Sequence, residues 1–454
     1  MKRSLLAFFA LAAAFGGLAS SPIVSNVTIE PAGDRIFSNS SFAYDLSGAP
    51  GIVTFYLETN GVPVDCPYVH VSGDMNRLLQ PGRHTFRWRN DLDWPGHAIR
   101  TPDCRLVVKA WATNSPPDYL IYNLKTPSEA PRYYAKATDV PDGVTATKYK
   151  IDHLVMRRIH AAGQTYLMGT PPNDPAYAAA TAPHEVAFTK DFYIGIYELT
   201  FGQMLTVKSS GNTAITAYYN VYGKENLTTY NSTLMDEVRK TTDLHYSRAA
   251  AMTQYKYYWF GTGFVFPASG KSCFSSGYMQ AFRNATQNET MFLPTSYQWE
   301  FACRAGCGAR LYNGSNSTNA TATADVGELG WFTLNNSQDP DWFKISGQNL
   351  YLPHVVGLKT PNAWGLYDML GNVAEICADV YVSSSPVTNA DGTPIVDPSG
   401  PVVATNTDPT HPVCGGNLYQ TATSLCAGQQ ASLATGSGQL YTGFRLVCDV
   451  EVSR

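Results

Sequence analysis

The chain has 454 residues and a net charge of −4, with charged residues at 15% against the roughly 25% usual in soluble domains. That balance leaves no bulk positive charge to hold nucleic acid, and 12% aromatics exclude a disordered polyelectrolyte. The length predicts two or three domains at about 150 residues each, and a surface rich in Tyr, Asn, Ser and Thr points to an extracellular setting.

Residues 1–21 read as a secretory signal peptide. Lys2 and Arg3 precede the apolar run Leu5–Phe15, and Ala19, Ser20 and Ser21 are small residues where a peptidase would cut. No later stretch is long and apolar enough to span a bilayer, so the expected location is secreted, cell-surface or periplasmic. Residues 22–112 then read as an all-β module. Apolar runs at Ile23–Ile29, Ile52–Leu57, His84–Trp88 and Cys104–Trp111 are separated by turn signals such as Pro81-Gly82. In His84–Trp88 the period-two alternation sets Phe86 and Trp88 on the face opposite Thr85 and Arg87. Several short strands in about 90 residues suggest an immunoglobulin-like sandwich, a spacer or adhesive unit with nothing catalytic in it.

Residues 113–143, with Pro116-Pro117, Pro127, Pro131 and Pro141-Asp142-Gly143, read as a linker packed partly on its neighbours. A longer Gly-punctuated region follows from 144 to 454, within which Asn313–Thr323 reads as a flexible surface loop. Nine cysteines in an exported chain predict disulfides, with the odd count leaving one thiol over. Cys66 and Cys104 are the only two in the first module, which makes their pairing the economical expectation. No cysteine or histidine spacing resembles a zinc site, and the nine histidines are scattered. Sequons such as Asn26, Asn288 and Asn335 are glycosylation acceptors or accidents of an Asn/Ser/Thr-rich composition.

Four stretches of the second region stand out. The first is Val155–Met168 with Pro183-His184-Glu185-Val186 and Phe192–Thr200. The second is Phe292-Leu293-Pro294-Thr295 leading into Trp299-Glu300-Phe301-Ala302. The third is Pro361–Glu375, which contains Asn362-Ala363-Trp364-Gly365-Leu366-Tyr367-Asp368-Met369 and Gly371-Asn372-Val373-Ala374-Glu375. The fourth is Cys414-Gly415-Gly416-Asn417 with Gly443-Phe444-Arg445. Thr295 is a good N-cap for a helix ending at Arg304 and Gly306. Asn372 and Glu375 sit three apart beside Gly371, an oxygen-rich turn of the kind a hard cation uses. A hydrogen-bonded turn in which Asn372 satisfies backbone groups uses the same residues.

In this order the four stretches resemble the formylglycine-generating enzyme, or sulfatase-modifying factor, family over roughly residues 150–450. The resemblance implies an α+β, C-type-lectin-like domain with little regular secondary structure. It also implies calcium, with Asn372 and Glu375 as side-chain ligands and backbone carbonyls near Gly371 and Val373. Catalytic members hold copper(I) between two cysteines and oxidise a sulfatase cysteine to formylglycine. Their first thiol falls here on Gln420 and their second on Leu425, one residue before Cys426. Soft copper(I) wants thiolates, which Gln420 cannot supply, so copper is not expected and Cys426 is the sole catalytic candidate. Cys414 with Cys426 is the other available pair, read as a structural disulfide.

What remains is recognition. The stretch after Gly416 offers Asn417, Tyr419, Gln420, Thr423, Gln429, Gln430 and Tyr441, the adaptable polar and aromatic contacts that paratopes favour. We therefore expect a non-catalytic, exported protein that binds a protein or glycan at the cell surface through this face. The alternative is a copper-dependent oxidase acting on a sulfatase cysteine.

Overall fold

A computed structural model describes residues 21–30, 35–100, 103–177, 181–208, 278–318, 321–336, 353–381, 389, 391–398, 410–434 and 441–450. The signal segment at 1–20, Cys273 and residues 435–440 of the expected binding face lie outside them.

The amino-terminal module is built from two sheets. One runs Ile23–Glu30, Ser41–Ser47, Gly82–Trp88, Val71–Gly73, and the other pairs Cys104–Trp111 with Gly51–Thr59, which also takes Val62–Pro63 and Leu78–Leu79. Their apolar faces meet in one core: Phe42, Tyr44, Phe86 and Trp88 from the first sheet, Val53, Phe55 and Leu57 from the second. Phe86 and Trp88 are buried while Thr85 and Arg87 are exposed, as period-two alternation requires. Cys66 and Cys104 are both free thiols, contrary to the expected pairing. Cys104 opens a strand in register with Thr59, whereas Cys66 is buried in the core beside Tyr68.

The expected linker is not one. Tyr119–Asn123 and Arg132–Tyr134 enter an antiparallel five-stranded sheet in the order Arg132–Tyr134, Tyr119–Asn123, His153–Ile159, Phe192–Gly195, Val447–Asp449. The prolines bound these strands rather than break them, a position where a missing N–H costs no ladder bond. This segment also meets the first module, with Tyr133 N donating to Asn76 O (2.8 Å).

A second sheet carries the later motifs: Gln430–Ala434, Thr410–Cys414, Ala374–Ile376, Thr442–Gly443, the last pair parallel. Against Thr410–Cys414 and the strand Thr165–Met168 packs the helix Ser296–Arg304, which buries Trp299, Phe301, Ala302 and Cys303. Thr295 accepts from Gln298 N and Gln298 reaches back to Thr295 N, a complete capping box, and Ala305 in the left-handed region ends the helix before Gly306. Part of the stretch read as a flexible loop is helical instead, because Thr321–Leu329 starts within it. Asn335 is buried with its amide donating to Gly330 O, so its sequon is compositional accident. No described helix is long and apolar enough to cross a membrane.

Candidate functional site

The four motif stretches, distant in sequence, converge on one buried ion pair. Arg445 donates from Nε to Glu375 Oε2 (2.7 Å) and from Nη2 to Glu375 Oε1 (2.6 Å), with both side chains at most 1% exposed. Its remaining donors reach Gly195 O (3.1 Å) and Tyr367 O (2.9 Å). Trp299 Nε1 donates to Glu375 Oε2 (2.8 Å). Gly195 belongs to the first motif stretch, Trp299 to the second, Glu375 and Tyr367 to the third, and Arg445 to the fourth. Burial this deep is tolerable only because the planar guanidinium is met by a bidentate carboxylate and two carbonyls.

Asn372 lies next to this hub. Its Oδ1 accepts from His354 N (2.7 Å) and its Nδ2 donates to Glu198 Oε2 (2.6 Å), while Val373 N donates to Glu198 Oε1 (3.1 Å). Burial, reinforced by Asp368 and Glu375, pushes the Glu198 carboxyl far above the ordinary range. Burial likewise raises Asp368 to about 6. Gly371 takes a left-handed φ of 78°, and a Cβ there would collide with the Trp331 carbonyl. Glu375 and Asn372, the expected calcium ligands, are thus spent on Arg445, Trp299, His354 and Glu198. Donors already committed in this way do not fit a calcium ion, and the turn is the hydrogen-bonded kind.

The copper seat does not fit either. Gln420 Oε1 accepts from Asn417 N (3.2 Å) and from Gln429 Nε2 (3.4 Å), knitting the loop to itself. Gly416 permits this approach, since a Cβ there would strike Gln420 and Leu425. Cys426 is 1% exposed, its thiol raised to about 11 by burial, and it hydrogen-bonds the Thr170 side chain rather than another sulfur. Cys414 does not turn to Cys426. Its sulfur lies 3.8 Å from that of Cys377, deep in the protein.

Of the expected recognition residues, Tyr419 and Tyr441 come together with ring centroids 4.8 Å apart, both half-buried. Gln420, Thr423, Gln429 and Gln430 are also half-buried, whereas Asn417 is buried and caps Tyr419 N through Oδ1 (2.9 Å). Beside this loop lies a cavity of about 880 Å³ to whose wall it contributes Cys426 and Gly428. Its lining also includes the aromatic Tyr166, Phe301 and Trp364, together with Arg304, Arg310 and Cys307. Arg310 holds the two parts together, pairing with Asp174 (2.8 Å) and donating to Leu425 O (2.8 Å) and Thr423 O. Sequence reasoning did not find this wall, although the aromatic Tyr166, Phe301 and Trp364 all sit in or beside the motif stretches.

An α+β domain with little regular structure, tied through an Arg–Glu–Trp hub, defines the class. The chain matches the sulfatase-modifying factor enzyme 1-like domain over residues 153–450 and belongs to that family. It is 28% identical over 163 residues to the formylglycine-generating enzyme of Thermomonospora curvata, covering 35% of this chain and 49% of that protein. The chain therefore spans about half the length of that curated relative. Among solved structures it is similar to Treponema denticola variable protein 1, with a TM-score of 0.41 and 20% identity over 65% of this chain and 95% of that one. It is also similar to PvdO from Pseudomonas aeruginosa, with a TM-score of 0.38 and 17% identity over 65% and 94% of the two chains.

Proposed function

We propose that this protein is a non-catalytic member of its family, exported to the cell surface, where it binds a protein or glycan ligand. The contact surface is the loop 417–430 with Tyr441 and the adjoining cavity, carried outward on an immunoglobulin-like spacer. The observation that carries the reading is Gln420, a carboxamide locked into its own loop where the catalytic relatives need a free thiolate. The test is a binding screen of the full chain against protein and glycan panels, followed by the Tyr419→Ala/Gln420→Ala double variant. A ligand that the double variant no longer holds is expected. No ligand in either panel, or binding indifferent to both substitutions, overturns the assignment.

The competing reading, an oxidase like the curated relative, has one observation in its favour: Cys307 and Cys426 line the same cavity. Copper-loaded protein incubated with a peptide containing Cys-x-Pro-x-Arg distinguishes them. No aldehyde is expected, and aldehyde that vanishes in Cys426→Ser would reverse the ranking.

A further inference from the structure

Cys414 ends one strand of the sheet that carries Glu375, and Cys377 directly follows the facing strand Ala374–Ile376. Their register is set by Glu375 opposite Cys414 and Ile376 opposite Val413, and Cys377 N donates to Pro412 O (2.9 Å). Alternation therefore puts Cys377 and Cys414 on one face as diagonal neighbours. Both side chains lean into that diagonal, because their sulfurs are in van der Waals contact at 3.8 Å. A disulfide is about 2.05 Å long, so the two sulfurs must approach by about 1.8 Å, through side-chain rotation together with a small drawing-in of the two backbones. Among the described residues of this domain the other sulfurs face elsewhere: Cys303 turns to Met369 O, Cys307 to Leu311 O, Cys426 to Thr170 and Cys448 to Met156 Sδ.

We propose that Cys377 and Cys414 are the site of a covalent cross-link, a disulfide stapling the end of Ala374–Ile376 to Thr410–Cys414 on the face of the sheet that carries Glu375. The oxidant is a small-molecule or protein disulfide. One cysteine thiolate attacks it, forming a mixed disulfide and releasing one thiol. The second cysteine thiolate then attacks the mixed disulfide and releases the other. Two S–H bonds are lost from the protein, one S–S bond forms, and the oxidant's disulfide is reduced to two thiols that carry the protons away.

The timing follows from burial. Cys377 is 0% and Cys414 1% exposed, and burial holds both thiols above their ordinary range. Thiolate chemistry is therefore suppressed once the sheet has closed, and the bond forms during folding. Among the described residues, the register then selects Cys377 for Cys414.

The full chain, reduced and unfolded, is refolded through a glutathione buffer containing the oxidised form, then alkylated and digested without reductant. A linked peptide pair carrying Cys377 and Cys414 is expected, with neither residue alkylated. The oxidised protein should also melt several degrees above the same sample treated with reductant. That difference should be absent in the Cys377→Ala/Cys414→Ala variant. Cys414 linked to Cys426, or both cysteines fully alkylated, overturns the proposal. The peptide map is read on the unmutated chain, so an unstable variant does not affect it.

Discussion

At the scale of single residues, Arg445 and Glu375 set the tolerance of the domain to substitution. Both are essentially excluded from water, so replacing Arg445 with Met leaves a carboxylate buried without its counter-charge. Truncating one partner of such a pair typically costs about 3–5 kcal/mol. Urea unfolding of Arg445→Met should show a loss of that size, and a loss below about 1 kcal/mol would remove the hub from the account. Asp379 gives a pH dependence. Burial raises its carboxyl from 3.8 to about 6, although Ser296 N and Oγ both donate to it at 2.6 Å. A raised folded value means the folded state holds its proton more tightly than the unfolded chain. The stabilisation is complete below about 3.8 and is lost as pH rises through about 6, amounting to about 2–3 kcal/mol. The stability difference between Asp379→Asn and the parent chain should therefore shift in favour of Asn between pH 4 and pH 7. A difference that is flat with pH would contradict this.

At the scale of elements, the helix Ser296–Arg304 delivers Trp299 to Glu375 and Phe301 to the cavity wall, so its start matters to both. Thr295→Ala removes the hydroxyl half of the capping box, the acceptor for Gln298 N, and should cost about 1 kcal/mol in thermal or urea unfolding, with Thr295→Ser near neutral. This helix was legible in the sequence because capping and termination are local chemistry. The same holds for Gly82–Trp88, where alternation alone assigned Phe86 and Trp88 to the core. The role of Glu375 was not legible. Its two partners are 70 and 76 positions away, and nothing next to it says whether its oxygens meet a cation or a guanidinium. The strands Tyr119–Asn123 and Arg132–Tyr134 were hidden by prolines that signal a linker when read one at a time. The aromatic and β-branched runs Tyr-Leu-Ile-Tyr and Arg-Tyr-Tyr between those prolines were the available counter-signal.

At the scale of the whole molecule, the boundary between the two parts lies before Tyr119 rather than after Gly143. A truncation starting near residue 113 retains all five strands of the central sheet, whereas one starting at 144 strips two of them, removing Leu120, Tyr122 and Tyr133 and baring Leu154 and Met156 that pack with them. The longer fragment should show a cooperative thermal transition, and the shorter one should aggregate or melt without one. Equal behaviour of the two would restore the linker reading. The family was legible at this scale because four stretches occur in a fixed order. The cavity was not, because its walls are assembled from segments near residues 166, 301, 364 and 426 that only the fold brings together.

The pairing of Phe192–Gly195 with Val447–Asp449 has a consequence for biogenesis. Gly195 O waits for Arg445, 250 positions downstream, so the central sheet lacks an edge and a buried cation until almost the entire domain has been synthesised. At about 5–20 residues per second that delay is on the order of 10–50 s. Throughout it Phe192–Gly195 keeps an unpaired edge, which the nascent chain must hold back from pairing elsewhere.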